Sequence, residues 1–104
     1  MESDQIMAVL AEVAAERRRQ DARWGEQNHP DGAGPAYAEE ATLRRAECER
    51  AAEAGQLTWR HILLEEVAEA GAEHEPKRLR EELIQVAAVA VAWAEAIDRR
   101  AGRL

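Results

Sequence analysis

Two groups of oxygen-bearing side chains, Glu65-Glu66-x-x-Glu69 and Glu81-Glu82-x-x-Gln85, sit where helical periodicity puts a hydrophobic core. On the first segment the apolar stripe runs through Trp59, Ile62, Leu63 and Ala70, and the i+3, i+4 and i+7 steps from Ile62 and Leu63 land on Glu66 and Glu69. On the second, the stripe Leu79, Val86, Val89, Trp93 passes through Glu82, while Gln85 precedes Val89 by one turn and lies beside it. An ionised carboxylate in an apolar setting costs on the order of several kcal/mol unless a cation pairs with it. Arginines or a metal ion could be that cation. With 21 acidic residues among 104, E-x-x-E alone is a weak signal, and a solvated or Arg-paired acidic face is the competing reading; the position of the acids on the stripe favours a metal. Oxygen donors without a companion His or Cys suit Mg²⁺, with Mn²⁺ as a substitute, better than zinc.

Four helices are expected to carry these residues. The first spans about residues 4–23, with Ser3 as its N-cap and Ile6, Val9, Leu10 and Val13 as one apolar stripe. It ends in a loop over residues 24–35, which holds three Gly and two Pro. The second, over about residues 36–54, has only the thin stripe Tyr37, Ala41, Cys48 and is expected at the periphery. Gly55 reads as its C′ residue, and Thr58 caps a third helix that runs to about residue 72, where Gly71 weakens its end. Pro76 fits the first turn of the fourth, which continues to about residue 100 with basic residues in its last turn. The middle of that helix, residues 83–93, is apolar nearly all round, which suits a helix central to a bundle or shared with another subunit. A short link between the third and fourth helices makes an antiparallel hairpin, in which Glu66 and Glu69 face Glu82 and Gln85.

A chain of 104 residues is expected to form one domain, and so small a set of helices buries a modest fraction of its surface, so a second copy is expected as a partner. The net charge of −7, with arginines interspersed among acids, argues against nucleic acid as a partner. The start, Met1-Glu2-Ser3-Asp4, is acidic with no apolar core behind it, so no signal peptide is expected. The longest apolar run, residues 86–94, is too short to span a bilayer, so no membrane partner is expected and the location is expected to be cytoplasmic. Cys48 stands alone, fits a reduced compartment, and reads as a packing residue more readily than as a nucleophile.

The two acidic segments resemble the signature of the all-α nucleoside triphosphate pyrophosphohydrolases, the MazG-like group: E-E-x-x-E on one helix and E-x-x-D on the next. Here Glu65, Glu66, Glu69 and Glu82 match, and Gln85 departs from the pattern at its fourth position. The run Arg17-x-x-Gln20-x-x-x-Trp24-Gly25-x-Gln27 also looks like the end of the first helix in many short members. The resemblance implies a four-helix MazG-like bundle, completed by homodimerisation or a larger homo-oligomer. It further implies Mg²⁺-dependent cleavage of a ribo- or deoxyribonucleoside triphosphate to the monophosphate and pyrophosphate, with Glu66, Glu69 and Glu82 as ligands and Gln85 adding a neutral carbonyl oxygen. Glu65, one position round the helix, either orients a water or is solvated. Related activities on dUTP or phosphoribosyl-ATP are the nearest enzymatic alternatives; a helical scaffold without catalysis is the alternative of another class.

A nucleotide site also needs an aromatic face and cations. Trp24 and His29 are candidates for the base, although Trp24 also reads as a core anchor and His29 as an ordinary loop residue. Gln20 and Gln27 could read a base edge or face water. Arg23 and Lys77, with Arg78 and Arg80, are the cations available for phosphate, and the same residues read more readily as surface pairs.

Overall fold

The computed structural model describes residues 2–102, all helix or loop, with no strand among them. The helices are α1 (Glu2–Trp24), α2 (Ala38–Glu53), α3 (Trp59–Ala72) and α4 (Pro76–Arg100), with one turn of 3₁₀ helix, Pro35–Tyr37, ahead of α2. The all-α, four-helix expectation therefore holds. The Ser3 cap lies outside the described side chains, and α1 is already helical at Glu2. No helix among the described residues is long and apolar enough to cross a membrane. The chain divides into two compact units, Asp31–Ala90 and the described parts of Met1–Pro30 with Val91–Leu104, and the boundary falls inside α4.

In the unit built from α1 and the C-terminal part of α4, Gln5 is buried and used fully. Its Nε2 donates to the carbonyl of Glu95 at 3.0 Å, and its Oε1 accepts from Arg99 Nη1 at 3.3 Å. Val9, one turn on, is buried too, but Ile6, Leu10 and Val13, expected on the same packed stripe, are exposed, as is Ile97. The reason is geometric: one partner helix covers only a narrow strip of α1, and an open groove remains between Ala8, Val9 and Val13 on one side and Ala94 and Ile97 on the other. Gly25 ends α1 in the left-handed region, with φ 71°, and its N–H reaches back to the Asp21 carbonyl at 2.8 Å.

The other unit begins with the end of the loop. Gly34 adopts φ 154° and ψ −175°, a conformation open to glycine alone, and donates its N–H to the Gly71 carbonyl at 2.8 Å. This fixes the loop to the last turn of α3. The chain then enters α2 through the 3₁₀ turn, so the α-helix proper starts two residues after the expected residue 36. α2 packs along α3 and stays exposed over most of its length, in keeping with its thin stripe. The buried residues here are Ala41 on α2 and Ala68 and Ala70 on α3, and such small side chains let two backbones approach without a strong apolar stripe.

Each end that aims the next element has an identifiable cause. Gly55 (φ 70°) closes α2 in a Schellman motif, with Gly55 N–H to Ala52 O at 3.1 Å and Gln56 N–H to Ala51 O at 2.8 Å. Thr58 caps α3: its hydroxyl oxygen accepts from His61 N–H at 3.3 Å, and its own N–H donates to His61 Nδ1 at 3.1 Å. Glu75 caps α4, its two carboxylate oxygens accepting from the N–H groups of Lys77 (3.2 Å) and Arg78 (3.0 Å), directly ahead of Pro76 in the first helical position. The chain thus doubles back in the three residues between α3 and α4, and Val67, Ala70 and Gly71 come to share one groove with Leu79, Leu83 and Val86. Leu83 and Ile84 in the apolar middle of α4 remain 51% and 53% exposed.

Candidate metal centre

The hairpin sets the height of three carboxylates. Glu66 and Glu69 lie six and three residues before the end of α3, and Glu82 lies six residues into α4. At a rise of about 1.5 Å per residue, antiparallel helices bring all three to a similar level, and the i, i+3 spacing keeps Glu66 and Glu69 on one side of α3. Accordingly, one carboxylate oxygen from each of Glu66, Glu69 and Glu82 falls within 4.8 Å of the others, and all three side chains are half-buried.

Burial and like charge both act against ionisation here. Glu66 is held above the usual carboxylate range by burial first, then by Glu69, Glu82 and Glu65. Glu82 is raised by burial first, then by Glu69, Glu73 and Glu81. The cation that reaches the triad among the described residues is Arg45 of α2, whose Nη2 lies 3.5 Å from Glu69 Oε1. One guanidinium leaves three carboxylates undercompensated. As a donor set, three acceptor-only oxygens without sulfur or imidazole could hold a hard cation. A cleft of about 290 Å³ opens beside them, lined by Thr42 and Arg45 of α2, Glu69 and Glu73, Glu82, and the alanines at 38, 41 and 72.

The remaining candidates are distributed as follows. Glu65 is half-buried beside Cys48 of α2, whose thiol is pushed up by burial and then by the charge and hydrogen bond of Glu65. That environment protonates the sulfur and agrees with a packing role for Cys48. Gln85 follows Glu82 by one turn on the same side of α4 and is exposed. Lys77 is exposed in the first turn of α4. Gln20, Arg23, Trp24, Gln27 and His29 belong to the other unit and are all exposed. Gln20 accepts from Arg17 at 2.9 Å. The Arg23 guanidinium sits 4.6 Å from the centroid of the Trp24 ring, and Trp24 is an open aromatic face in this chain, not a core anchor. His61, without a role from sequence, is a capping residue.

Arg45 was within reach of sequence reasoning. The thin stripe of α2 steps from Tyr37 to Ala41 to Cys48, and the i+4 step from Ala41 lands on Arg45, a charge on an otherwise apolar line, which is the anomaly that singles out the glutamates. In comparisons with protein-family models, curated proteins and solved structures, nothing matches this chain.

The raised carboxyls make a pH dependence. As pH rises, Glu66 and Glu82 ionise in the unfolded chain before they do in the folded one, so the folded state holds the extra protons in between. Their contribution to stability is therefore present in acid and is lost as pH rises from the usual carboxylate range through their folded values. In metal-free urea denaturation, Glu66→Gln and Glu82→Gln should each flatten that fall, whereas slopes identical to wild type would show that neither carboxyl is perturbed.

Proposed function

We propose that the protein is a Mg²⁺-dependent nucleoside triphosphate pyrophosphohydrolase of the MazG-like kind, converting a ribo- or deoxyribonucleoside triphosphate and water to the monophosphate and pyrophosphate in the cytoplasm. The observation that carries the reading is the convergence of Glu66, Glu69 and Glu82 within 4.8 Å on a two-helix hairpin. The resemblance of their spacing to the E-E-x-x-E and E-x-x-D pattern gives the reading its reaction.

In this reading Glu66, Glu69 and Glu82 hold the divalent cation, with Mn²⁺ able to replace Mg²⁺, and Gln85 adds a neutral oxygen one turn beyond Glu82. The bound cation would neutralise phosphate oxygens and acidify the attacking water. A carboxylate beside the attacking water would accept the proton that the water gives up. Glu65, half-buried beside Cys48, is offered as a residue that orients a water. Lys77, in the first turn of α4, is offered as a contact to phosphate. An acidic protein binds a polyanion this way only through an intervening cation, which accounts for the net charge of −7. The same site could serve dUTP or phosphoribosyl-ATP. The Arg45–Glu69 pair favours one reading of another class, a scaffold in which the acids are structural partners of arginine.

A panel of ribo- and deoxyribonucleoside triphosphates, with and without Mg²⁺, separates these. Metal-dependent release of pyrophosphate is expected. Each of Glu66→Gln, Glu69→Gln and Glu82→Gln should cut turnover by at least about 100-fold, since groups that only orient metal ligands are already worth about 10–100-fold. Release of orthophosphate in place of pyrophosphate would rule the reaction out.

The protein is further proposed to act as a homodimer or larger homo-oligomer, because among the described residues Val67, Leu83 and Ile84, and likewise Ile6, Leu10, Val13 and Ile97, are exposed apolar side chains. Sedimentation at micromolar concentration should give at least twice the monomer mass, and a monomer alone would contradict this.

A further inference from the structure

We infer that Arg45 is an internal counter-ion that competes with the divalent cation for Glu69 and, once displaced, takes a phosphate group of the substrate in the adjoining cleft. This rests on the triad being a metal-dependent pyrophosphohydrolase centre and assigns a positioning residue within it.

The contact is built to be replaced. Arg45 reaches Glu69 by one nitrogen at 3.5 Å, beyond ordinary hydrogen-bond length, and its side chain is 52% exposed against 26% for Glu69. A bidentate, buried pair would close the carboxylate to a metal; a single long contact at the cleft mouth does not. A divalent ion among the three carboxylates carries twice the charge of the guanidinium and reaches all three at once, so it competes with Arg45 for Glu69. Displacement leaves the guanidinium on the same helix, lining the same cleft, without its anion. There it is the cation among lining residues that otherwise contribute Glu69, Glu73, Glu82, a threonine and alanines.

The size of the cleft narrows what it takes. At about 290 Å³ it sits at the lower edge of the roughly 300–1,000 Å³ that whole ligands occupy, so it suits phosphate groups without base and sugar. A planar guanidinium matches such oxygens in a way that a hydroxyl or amide cannot. Metal entry and phosphate binding then become coupled, because the first frees the group used by the second.

The test is calorimetry on the full chain: Mn²⁺ into nucleotide-free protein, then inorganic pyrophosphate at a fixed, saturating free Mn²⁺, for wild type, Arg45→Gln, Arg45→Lys and Arg44→Gln. Arg44 is the control for charge alone, since it carries the same charge next door but pairs with Glu47 at 3.3 Å and Glu40 at 3.9 Å. Arg45→Gln should bind Mn²⁺ about two- to five-fold tighter, the range open to so exposed a pair. It should bind pyrophosphate about ten-fold more weakly, in line with the loss of a charge-assisted phosphate contact. Arg45→Lys should fall between, and Arg44→Gln should match wild type. Unchanged or weaker Mn²⁺ binding in Arg45→Gln overturns the competition, and unchanged pyrophosphate binding overturns the second role. Equal effects in Arg44→Gln reduce both to net charge and overturn the inference. A wild type that takes up no Mn²⁺ instead overturns the metal-centre reading beneath it.

Discussion

Like charge gathered on a thin apolar seam is the constraint to which the rest of the Asp31–Ala90 unit answers. Three carboxylates lie half-buried within 4.8 Å of one another; burial first, and then like charge, raises the proton affinity of Glu66 and Glu82 and opposes the packing of the helices that bear them. Nothing in helix propensity asks for that arrangement. It is held by features that aim α3 and α4: the Thr58–His61 cap at one end of α3, the Gly34–Gly71 tie at the other, and the Glu75–Pro76 start of α4. Moving the start of α4 by two residues would turn Glu82 through more than half a revolution, away from Glu66 and Glu69. Arg45 relieves part of the repulsion from α2, at a distance that leaves the carboxylates open to a stronger cation.

The packing around the seam is correspondingly modest. The buried apolar residues are Val9, Ala41, Ala68, Ala70 and Leu79, and no large side chain among the described residues is fully enclosed. Alanines supply close backbone approach but little apolar area, at about 25 cal/mol for each Å² removed from water. Carboxylates take part of the seam, and Leu83 and Ile84 stay half in water. That weighs towards cover from a second copy and towards stabilisation by a cation, both of which act on the folded state alone.

What the sequence made legible was local chemistry. Pro76 and the basic last turn bounded α4 at residues 76 and 100, Gly55 and Thr58 bounded the α2–α3 link, and each of these signals acts within a few residues of itself. The glutamate triad was legible for a related reason: helical periodicity fixes the side of a helix, and a short link fixes the height of its partner. Tertiary neighbours were not legible. The stripe Ile6, Val9, Leu10, Val13 is real as a pattern, but whether another chain segment covers it is decided elsewhere, and of these four Val9 alone is buried among the described residues. α2 is exposed over most of its length, as its thin apolar stripe suggests, but that small residues would lay it along α3 was not legible. Capping by Glu75 and His61 hid among many acids and in an unusual capping partner.

If the carboxylates are kept for a cation and not for the fold, then metal and stability must trade places when they are neutralised. Thermal melting of wild type and of the triple variant Glu66→Gln, Glu69→Gln, Glu82→Gln, each with EDTA and with Mg²⁺, measures this directly. Wild type should melt higher with Mg²⁺ than without, and the variant should melt at least as high as metal-free wild type and ignore Mg²⁺. A variant that melts well below wild type in EDTA, with no Mg²⁺ effect in either protein, would contradict the account and make the acids structural partners of arginine.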